Sequence, residues 1–148
     1  MKLVKAGTSD AAILAAISNR AFDSDVEVGA TSAGGPPGYK SVPFHVKMAG
    51  RGNLYKLVDD HGAILGGAVL FPDNDRLQVG RIFVEPAHFR KGCGTFIMEE
   101  IEAMFPDAKE LVLDTPVWNA RTNAFYAKLG YGEMRRDEEF VYYSKKIG

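Results

Sequence analysis

The sequence predicts an α+β domain, with a mixed, mostly antiparallel sheet flanked by helices and a strand–helix–strand crossover at its centre. Apolar residues recur at helical spacing in separate stretches, and short strand-like runs lie between those stretches. Turns of Gly, Pro, Asp and Asn join the middle runs as hairpins, whereas a helical stretch separates 76–84 from 110–115. Such a crossover makes its two strands parallel. With 148 residues, the chain is predicted to form one domain over 1–148.

The N-terminal part of the chain predicts a helix, a loop and a short second helix. Residue types that cap helices occupy 8–10, and the apolar face that follows repeats every three or four residues until Asp23. Residues 24–39 are rich in glycine and proline and show no period, which predicts a long loop of the kind that is usually functional or mobile. Residues 41–48, with Pro43 in the first turn, are predicted as the second helix.

The rest of the chain predicts six strands and two helices. A helix follows the turn at 90–95 and stops at Pro106, and a second helix ends at Gly130 because glycine accepts the left-handed conformation there. The predicted strands are 54–58, 63–71, 76–84, 110–115, 131–134 and 140–143.

Composition excludes several classes of function. The chain has 18 Lys and Arg against 19 Asp and Glu, which argues against nucleic-acid binding driven by overall charge. One cysteine excludes an internal disulfide, and the three scattered histidines lack the spacing of metal ligands, so no metal site is predicted. No apolar run approaches the ~20 residues of a membrane helix. We therefore expect a cytoplasmic location, with neither a nucleic-acid nor a membrane partner.

The segment from Ile82 to Thr95 is the strongest candidate for a binding site. A strand ends at Pro86, a basic turn with Gly92 and Gly94 follows, and a helix begins. Free N–H groups at a helix start favour anions, and the glycines allow a ligand to approach the backbone closely. The turn therefore predicts a diphosphate site. The residues that follow Gly94 do not fit a P-loop, and the third glycine of a dinucleotide fingerprint is missing.

Two segments resemble the GNAT superfamily of N-acetyltransferases. Val84-Glu85-Pro86-Ala87-His88-Phe89-Arg90-Lys91-Gly92-Cys93-Gly94-Thr95 resembles the acetyl-CoA signature, in which Val-x-Pro precedes Gln/Arg-x-x-Gly-x-Gly/Ala. The segment 118–131 is similar to the family pattern Asn-x-x-Ala-x-x-Phe/Leu-Tyr-x-Lys-x-Gly-Phe. The order of the predicted elements also fits the family. Two positions depart from the patterns: Phe89 stands at the Gln/Arg position, with Arg90 one step later, and Thr122 stands where alanine is common.

The resemblance implies transfer of an acetyl group from acetyl-CoA to a primary amine of a small molecule or peptide, by direct attack and without a metal. Tyr126 matches the general acid that protonates the leaving thiolate, a role suited to a phenol that is protonated at neutral pH. Asn119, by itself a helix N-cap type, matches a cofactor-binding residue. The full set of implied cofactor-binding residues is Ile82, Phe83, Val84, Phe89, Arg90, Lys91, Gly92, Cys93, Gly94, Thr95 and Asn119.

The sequence leaves the general base open. The family often places a Glu or His on the strand before the turn, but the matching positions hold Gln78 and Gly80, and neither can serve. The unranked candidates are Asp25, Glu27, Tyr39, His45, Glu85 and Asp114. Because the strand lacks this base, an alternative function stays open, that of a non-catalytic acyl-CoA-binding sensor or scaffold domain. A homodimer is a candidate assembly, because the C-terminal end of the chain is predicted to expose strands.

Overall fold

The computed structural model describes residues 1–147 and confirms the predicted fold class, an α+β architecture with one open seven-stranded sheet. Four helices flank the sheet: α1 (Ala11–Asp23), α2 (Val42–Gly50), α3 (Cys93–Met104) and α4 (Ala120–Lys128). The strands are β1 (Lys2–Lys5), β2 (Leu54–Val58), β3 (Ile64–Asp73), β4 (Arg76–Val84), β5 (Glu110–Pro116), β6 (Gly132–Arg136) and β7 (Phe140–Lys146).

The strands lie in the order β1-β2-β3-β4-β5-β7-β6. Only the central pair, β4 and β5, is parallel, as the crossover through α3 requires, and the other neighbours are antiparallel. The prediction of one domain over 1–148 stays a prediction. None of the helices among residues 1–147 is long and apolar enough to cross a membrane.

Two features of the N-terminal region differ from the prediction. The predicted element order began with a helix, which was wrong, because β1 precedes it and pairs with β2. This edge strand has four residues and buries only Leu3 fully, so its pattern is too short to reveal a strand. The predicted loop after α1 also contains a 3₁₀ turn at Ser24–Val28.

The sheet separates two apolar layers. On one face, α1 and α2 cover the region of β2 to β4 with a core that includes Leu14, Ile17, Met48 and Phe83. On the other face, α3 and α4 pack against the centre of the sheet, through residues such as Ile97, Ile101, Leu111, Tyr126 and Val141. Because strand side chains alternate between faces, the end of β4 contributes to both layers.

The two parallel strands separate along their length. Residues Arg76–Gln78 of β4 pair with Glu110–Val112 of β5, and pairing stops there although both strands continue. A bulge at Gly80 accompanies the separation, since Val69 and Leu70 of β3 face Arg81 and Val79. Bulges bend a strand and commonly re-aim side chains beside active sites. The second halves of β4 and β5 are therefore free of each other, and a gap opens in the sheet.

Candidate functional site

A cleft of about 560 Å³ lies at this gap, where the end of β4, the start of α3, the start of α4 and the segment after α1 meet. One edge of Ile82–Val84 pairs with β3 over Gly66–Ala68, and the other edge faces the gap without a strand partner. Backbone N–H and C=O groups along that edge can therefore bind a ligand. The lining residues are Ala21, Phe22, Asp25, Glu27, Ile82, Phe83, Val84, His88, Phe89, Arg90, Gly92, Cys93, Gly94, Thr95, Arg121, Thr122 and Phe125.

The turn before α3 has the backbone conformation of an anion site. Gly92 has a φ of 82° and caps the helix, and Arg90 has a φ of 64°, which is unusual for a residue with a side chain. The N–H of Phe96 is bonded to the carbonyl of Gly92 at 3.0 Å, so the first N–H groups of α3 have no partner within the helix. They carry the positive end of the helix dipole, beside the exposed side chains of Arg90 and Lys91.

Gly94 allows α3 and α4 to approach closely at the cleft. A Cβ at this position would lie 3.2 Å from the ring of Phe125. Phe125 packs against the apolar layer and also lines the cleft.

Asn119 starts α4 and is almost fully buried, with 1% of its surface exposed. Its side-chain oxygen accepts a hydrogen bond from the N–H of Thr122 at 3.1 Å, so it is the helix N-cap. The hydroxyl of Thr122 lies 2.6 Å from that of Thr115 and ties α4 to β5. Asn119 does not line the cleft, and neither does the exposed Lys91.

Tyr126 lies beneath the cleft wall rather than in it. Its ring packs against Phe125, Tyr131 and Tyr143, and only 7% of the residue is exposed. Burial raises the pKa of the Tyr126 phenol, and the charge of Asp114 raises it further. The phenol is therefore protonated at neutral pH and electrostatically coupled to Asp114. Its role as general acid stays a prediction.

An ion pair ties the segment after α1 to α4. Asp25 Oδ1 accepts a hydrogen bond from Arg121 Nη2 at 2.9 Å, across 96 positions of the chain. The Arg121 guanidinium also lies over the ring of Phe89, 5.0 Å from its centroid. Burial raises the pKa of Asp25, and the charge of Arg121 opposes that rise. The Asp25 carboxylate, an unranked candidate for the general base, is therefore half-buried and paired with Arg121.

The candidate bases are separated by the fold. Glu85 forms an ion pair with Arg20 at 3.0 Å, and Tyr39 donates a hydrogen bond to Asp23 at 2.7 Å. The remaining candidates differ in burial: Glu27 is exposed on the cleft wall, and His45 on α2 is fully buried.

Asp114 lies on β5, which borders the gap. Its neighbours Leu113 and Thr115 point into the layer of α3 and α4, so Asp114 faces the opposite side of the sheet. Desolvation raises the pKa of its carboxyl group, and the charge of Asp137 adds to that rise. A raised pKa brings a carboxyl group closer to the range of a general base. Asp114 is exposed, however, and it is not among the residues that line the cleft.

Sequence reasoning missed several lining residues because no local pattern marks them. Ala21 and Phe22 belong to the apolar face of α1, and Arg121 occupies a variable position of the second family pattern. Among residues 1–147, no group of three or more His, Cys, Asp or Glu side chains is placed to hold a metal ion.

Residues 32–131 match the acetyltransferase (GNAT) family. The chain belongs to this family. The match spans both predicted motifs and confirms the resemblance that they carry. No protein with a curated function matches the sequence significantly.

Solved GNAT structures share the fold at low identity. The PaiA N-acetyltransferase from Thermoplasma acidophilum, in complex with coenzyme A, has a TM-score of 0.84 and 15% identity, over 99% of this chain and 98% of that one. The ribosomal-protein-S18-alanine N-acetyltransferase from Escherichia coli has a TM-score of 0.71 and 18% identity, over 99% and 93%. Naa20 from Chaetomium thermophilum, in complex with a bisubstrate analogue, gives 0.70 and 18%, over 99% and 87%.

Proposed function

We propose that this GNAT protein transfers the acetyl group of acetyl-CoA to a primary amine of a small molecule or peptide. The gap between β4 and β5 carries the proposal, because a diphosphate-type turn borders it and a buried phenol lies behind its wall. The PaiA structure of the same fold contains coenzyme A, and two of the similar structures are named N-acetyltransferases, which supports both the donor and the nitrogen acceptor.

The cofactor-side residues fit coenzyme A. The N–H groups of Cys93, Gly94 and Thr95 are positioned for the diphosphate, with Arg90 and Lys91 as counter-charges. The free edge of Ile82–Val84 offers hydrogen bonds to an extended chain of amides, as one strand offers them to another. Cys93 is 4% exposed, so it serves the cleft as a small apolar wall residue.

Arg121 supplies the charge that Phe89 lacks. The family pattern has Gln or Arg at the position of Phe89, and here a guanidinium from α4 stacks on that ring instead. Asp25 fixes its orientation, and both residues line the cleft. We propose that Arg121 contacts a phosphate group of the donor in place of the missing side chain.

The chemistry needs three groups. The amine nitrogen attacks the acetyl carbon, the C–N bond forms, and the C–S bond breaks. N–H groups at the end of β4 stabilise the negative charge on the carbonyl oxygen, a contribution that is typically worth about 10²–10³ in rate. Tyr126 donates its proton to the departing thiolate, and Asp114, across the gap on β5, takes the proton that the amine loses, directly or through water.

The alternative is a domain that binds acyl-CoA without turnover. It would have the same turn, but it would not require a proton donor at Tyr126 or a proton acceptor at Asp114. Release of free thiol from acetyl-CoA in the presence of a panel of amines distinguishes the two. Thiol release that depends on an amine supports the enzyme. Binding of acetyl-CoA without thiol release, whichever amine is added, favours the sensor or scaffold.

Calorimetric titration with coenzyme A tests the cofactor site. Arg121→Ala should weaken binding by about 10- to 100-fold, because it removes a charged hydrogen-bond donor. Arg76→Ala is the matched control, since that arginine is on the same sheet but pairs with Glu110 away from the cleft, and it should leave the Kd unchanged. Absence of any affinity for coenzyme A in the wild-type protein would overturn the proposed function.

A further inference from the structure

Arg81 of β4 is a cation without a partner. Its Nε and Nη1 atoms are enclosed and form no hydrogen bond, and within residues 1–147 no carboxylate oxygen lies within 4.0 Å of its nitrogens. Burial lowers the pKa of Arg81, yet a guanidinium stays charged in proteins. An enclosed charge is costly unless something pairs with it. Two of its three guanidinium nitrogens are enclosed and the residue is only partly exposed, so water compensates the charge incompletely.

The surroundings hold the guanidinium in place without neutralising it. The group lies over the ring of Phe44, 4.6 Å from the centroid, in cation–π contact. His45, the next residue of α2, has Nδ1 2.7 Å from the carbonyl oxygen of Ser41. Because a carbonyl only accepts, Nδ1 carries the hydrogen and Nε2 is left as a bare acceptor. Burial lowers the pKa of His45, and the charge of Arg81 lowers it further, so this ring stays neutral.

Unpaired polar atoms are concentrated on this side of the molecule. Buried polar atoms in folded proteins are nearly always hydrogen-bonded. Apart from the Tyr131 hydroxyl, every enclosed side-chain polar atom without a partner among residues 1–147 belongs to α1, α2 or β4, namely those of Ser18, Asn19, His45 and Arg81. The α1 helix packs against both α2 and β4. Ser18 and His45 are fully buried, so a ligand can reach only the two partly exposed residues of this group, Asn19 and Arg81.

Arg81 lies beside the cleft, on the face of the sheet opposite to α3. Arg81 directly precedes Ile82, and Phe83, on the same side as Arg81, lines the cleft and has its ring 6.1 Å from that of His45. Ile82 and Val84 pack against the other layer. Arg81 itself is not part of the cleft lining, so an acceptor that binds it has to extend from the gap toward the α1 and α2 side.

We propose that Arg81 binds a carboxylate of the acceptor, and that the acceptor is consequently an amine that also carries a carboxylate. The inference rests on the proposed function. Guanidinium and carboxylate match in charge and in planar geometry, and such pairs bind and orient together. The acidic residues of the cleft do not themselves pair with Arg81, since Asp25 is bonded to Arg121 and Glu27 is exposed at the wall. A polyamine would instead place positive charge against Arg81.

The test is amine-dependent thiol release from acetyl-CoA with matched acceptors. One arm compares free amino acids with their carboxamides, and a second compares short peptides that contain Asp or Glu with those that contain Asn or Gln. The two arms separate a main-chain carboxylate from a side-chain carboxylate. The wild-type protein should favour the carboxylate member of at least one arm by about 10- to 100-fold in kcat/KM. Arg81→Gln should abolish that preference through KM and leave the carboxamide rates unchanged.

The controls make failure informative. Arg76→Gln removes the same charge from the exposed start of β4 and should keep the preference. The Kd for coenzyme A shows that Arg81→Gln is folded, and Arg81→Lys, which keeps charge without the planar fork, should retain part of the preference. A wild-type preference for carboxamides or polyamines, or an equal loss on both acceptors in Arg81→Gln, overturns the inference. If the wild-type protein acetylates none of these acceptors, the result would instead contradict the proposed function.

Discussion

The two faces of β4 meet the same cleft but are built in different ways. On the α3 side, the candidate site is contiguous in sequence and made largely of backbone, with Gly92 and Arg90 in left-handed conformations at the turn. On the α1 and α2 side, it is made of side chains from three distant elements, and Arg81 and His45 carry unpaired atoms. The first face is complete without a ligand, apart from N–H groups that water can satisfy. The second face keeps the Arg81 guanidinium, which has no counter-charge within residues 1–147 and is open to pairing with a carboxylate.

The contrast indicates that the two faces have different functions. A backbone site binds a group that never varies, such as the diphosphate of a shared donor, because its geometry does not depend on side chains. A side-chain site discriminates between acceptors, since unpaired buried groups penalise the wrong ligand more strongly than extra contacts reward the right one. The α3 face is therefore expected to govern donor affinity, and the α1 and α2 face is expected to govern acceptor choice.

The largest expected effect is on the chemical step, in which the donor on one face reacts with the acceptor on the other. Tyr126→Phe should lower kcat by about 10²–10⁴-fold, because it removes the proton donor for the thiolate, and should leave the Kd of coenzyme A and the acceptor KM nearly unchanged. Steady-state thiol release and calorimetry measure these quantities.

Tyr131→Phe is the matched control for this variant. Tyr131 packs against Tyr126, is equally buried and has a hydroxyl without a partner. Its loss should leave kcat intact. Equal decreases in both variants would show that Tyr126 acts only through packing.

A smaller effect on rate is expected for Asp114→Asn, about 10²-fold in kcat/KM at neutral pH, because the proton acceptor is lost. In the wild-type protein, the raised pKa of Asp114 places the acid limb of the pH–rate profile above the usual range of aspartate, and the variant should lack that limb. An unchanged limb would assign the base to another group.

The same variant should be slightly more stable than the wild-type protein near pH 7. A carboxyl group whose pKa is raised by folding stabilises the native state at low pH and loses that contribution as pH rises through the folded value. The gain in Tm should be about 1–2 °C at pH 7 and should vanish below about pH 4. Asp73→Asn, on an exposed strand end, is the control and should show no such difference.

The smallest effect on chemistry is expected from Gly67→Ala, at a position of β3 that faces α1. A Cβ there would lie 2.7 Å from the backbone oxygen of Tyr55 on β2, 2.8 Å from the ring of Phe83 and 3.0 Å from Leu14. The backbone of β2 and both side chains must then shift, and we expect a loss of about 1–3 kcal/mol or more in the free energy of unfolding. The acceptor KM should rise because the Phe83 ring moves, whereas donor affinity should persist. Gly132→Ala, at a strand position with open space, should be neutral by chemical denaturation. A selective loss of donor affinity in Gly67→Ala would contradict the division between the faces.

Sequence reasoning predicted the α3 face better than the α1 and α2 face. Residues 84–95 are adjacent in the chain, so their strand, turn and helix start are readable together, and most of the cofactor-binding residues predicted there line the cleft. Asn119 and Tyr126 are readable only as motif positions, and the fold buries both. The strand β1 was missed because its four residues show no clear strand pattern and are identified as a strand only by their pairing with residues 55–58.

The sequence by itself determined the family, the fold class and the glycine turn, because each depends on local spacing and on backbone freedom. Only the tertiary structure decided that Asp25 holds Arg121 against Phe89, that Arg81 has no counter-charge in the described part of the chain, and that Asp114 influences Tyr126 from the opposite face of β5. These relations join residues far apart in the chain, and their energies depend on burial and on which charges end up as neighbours. Neither quantity exists before the chain has folded.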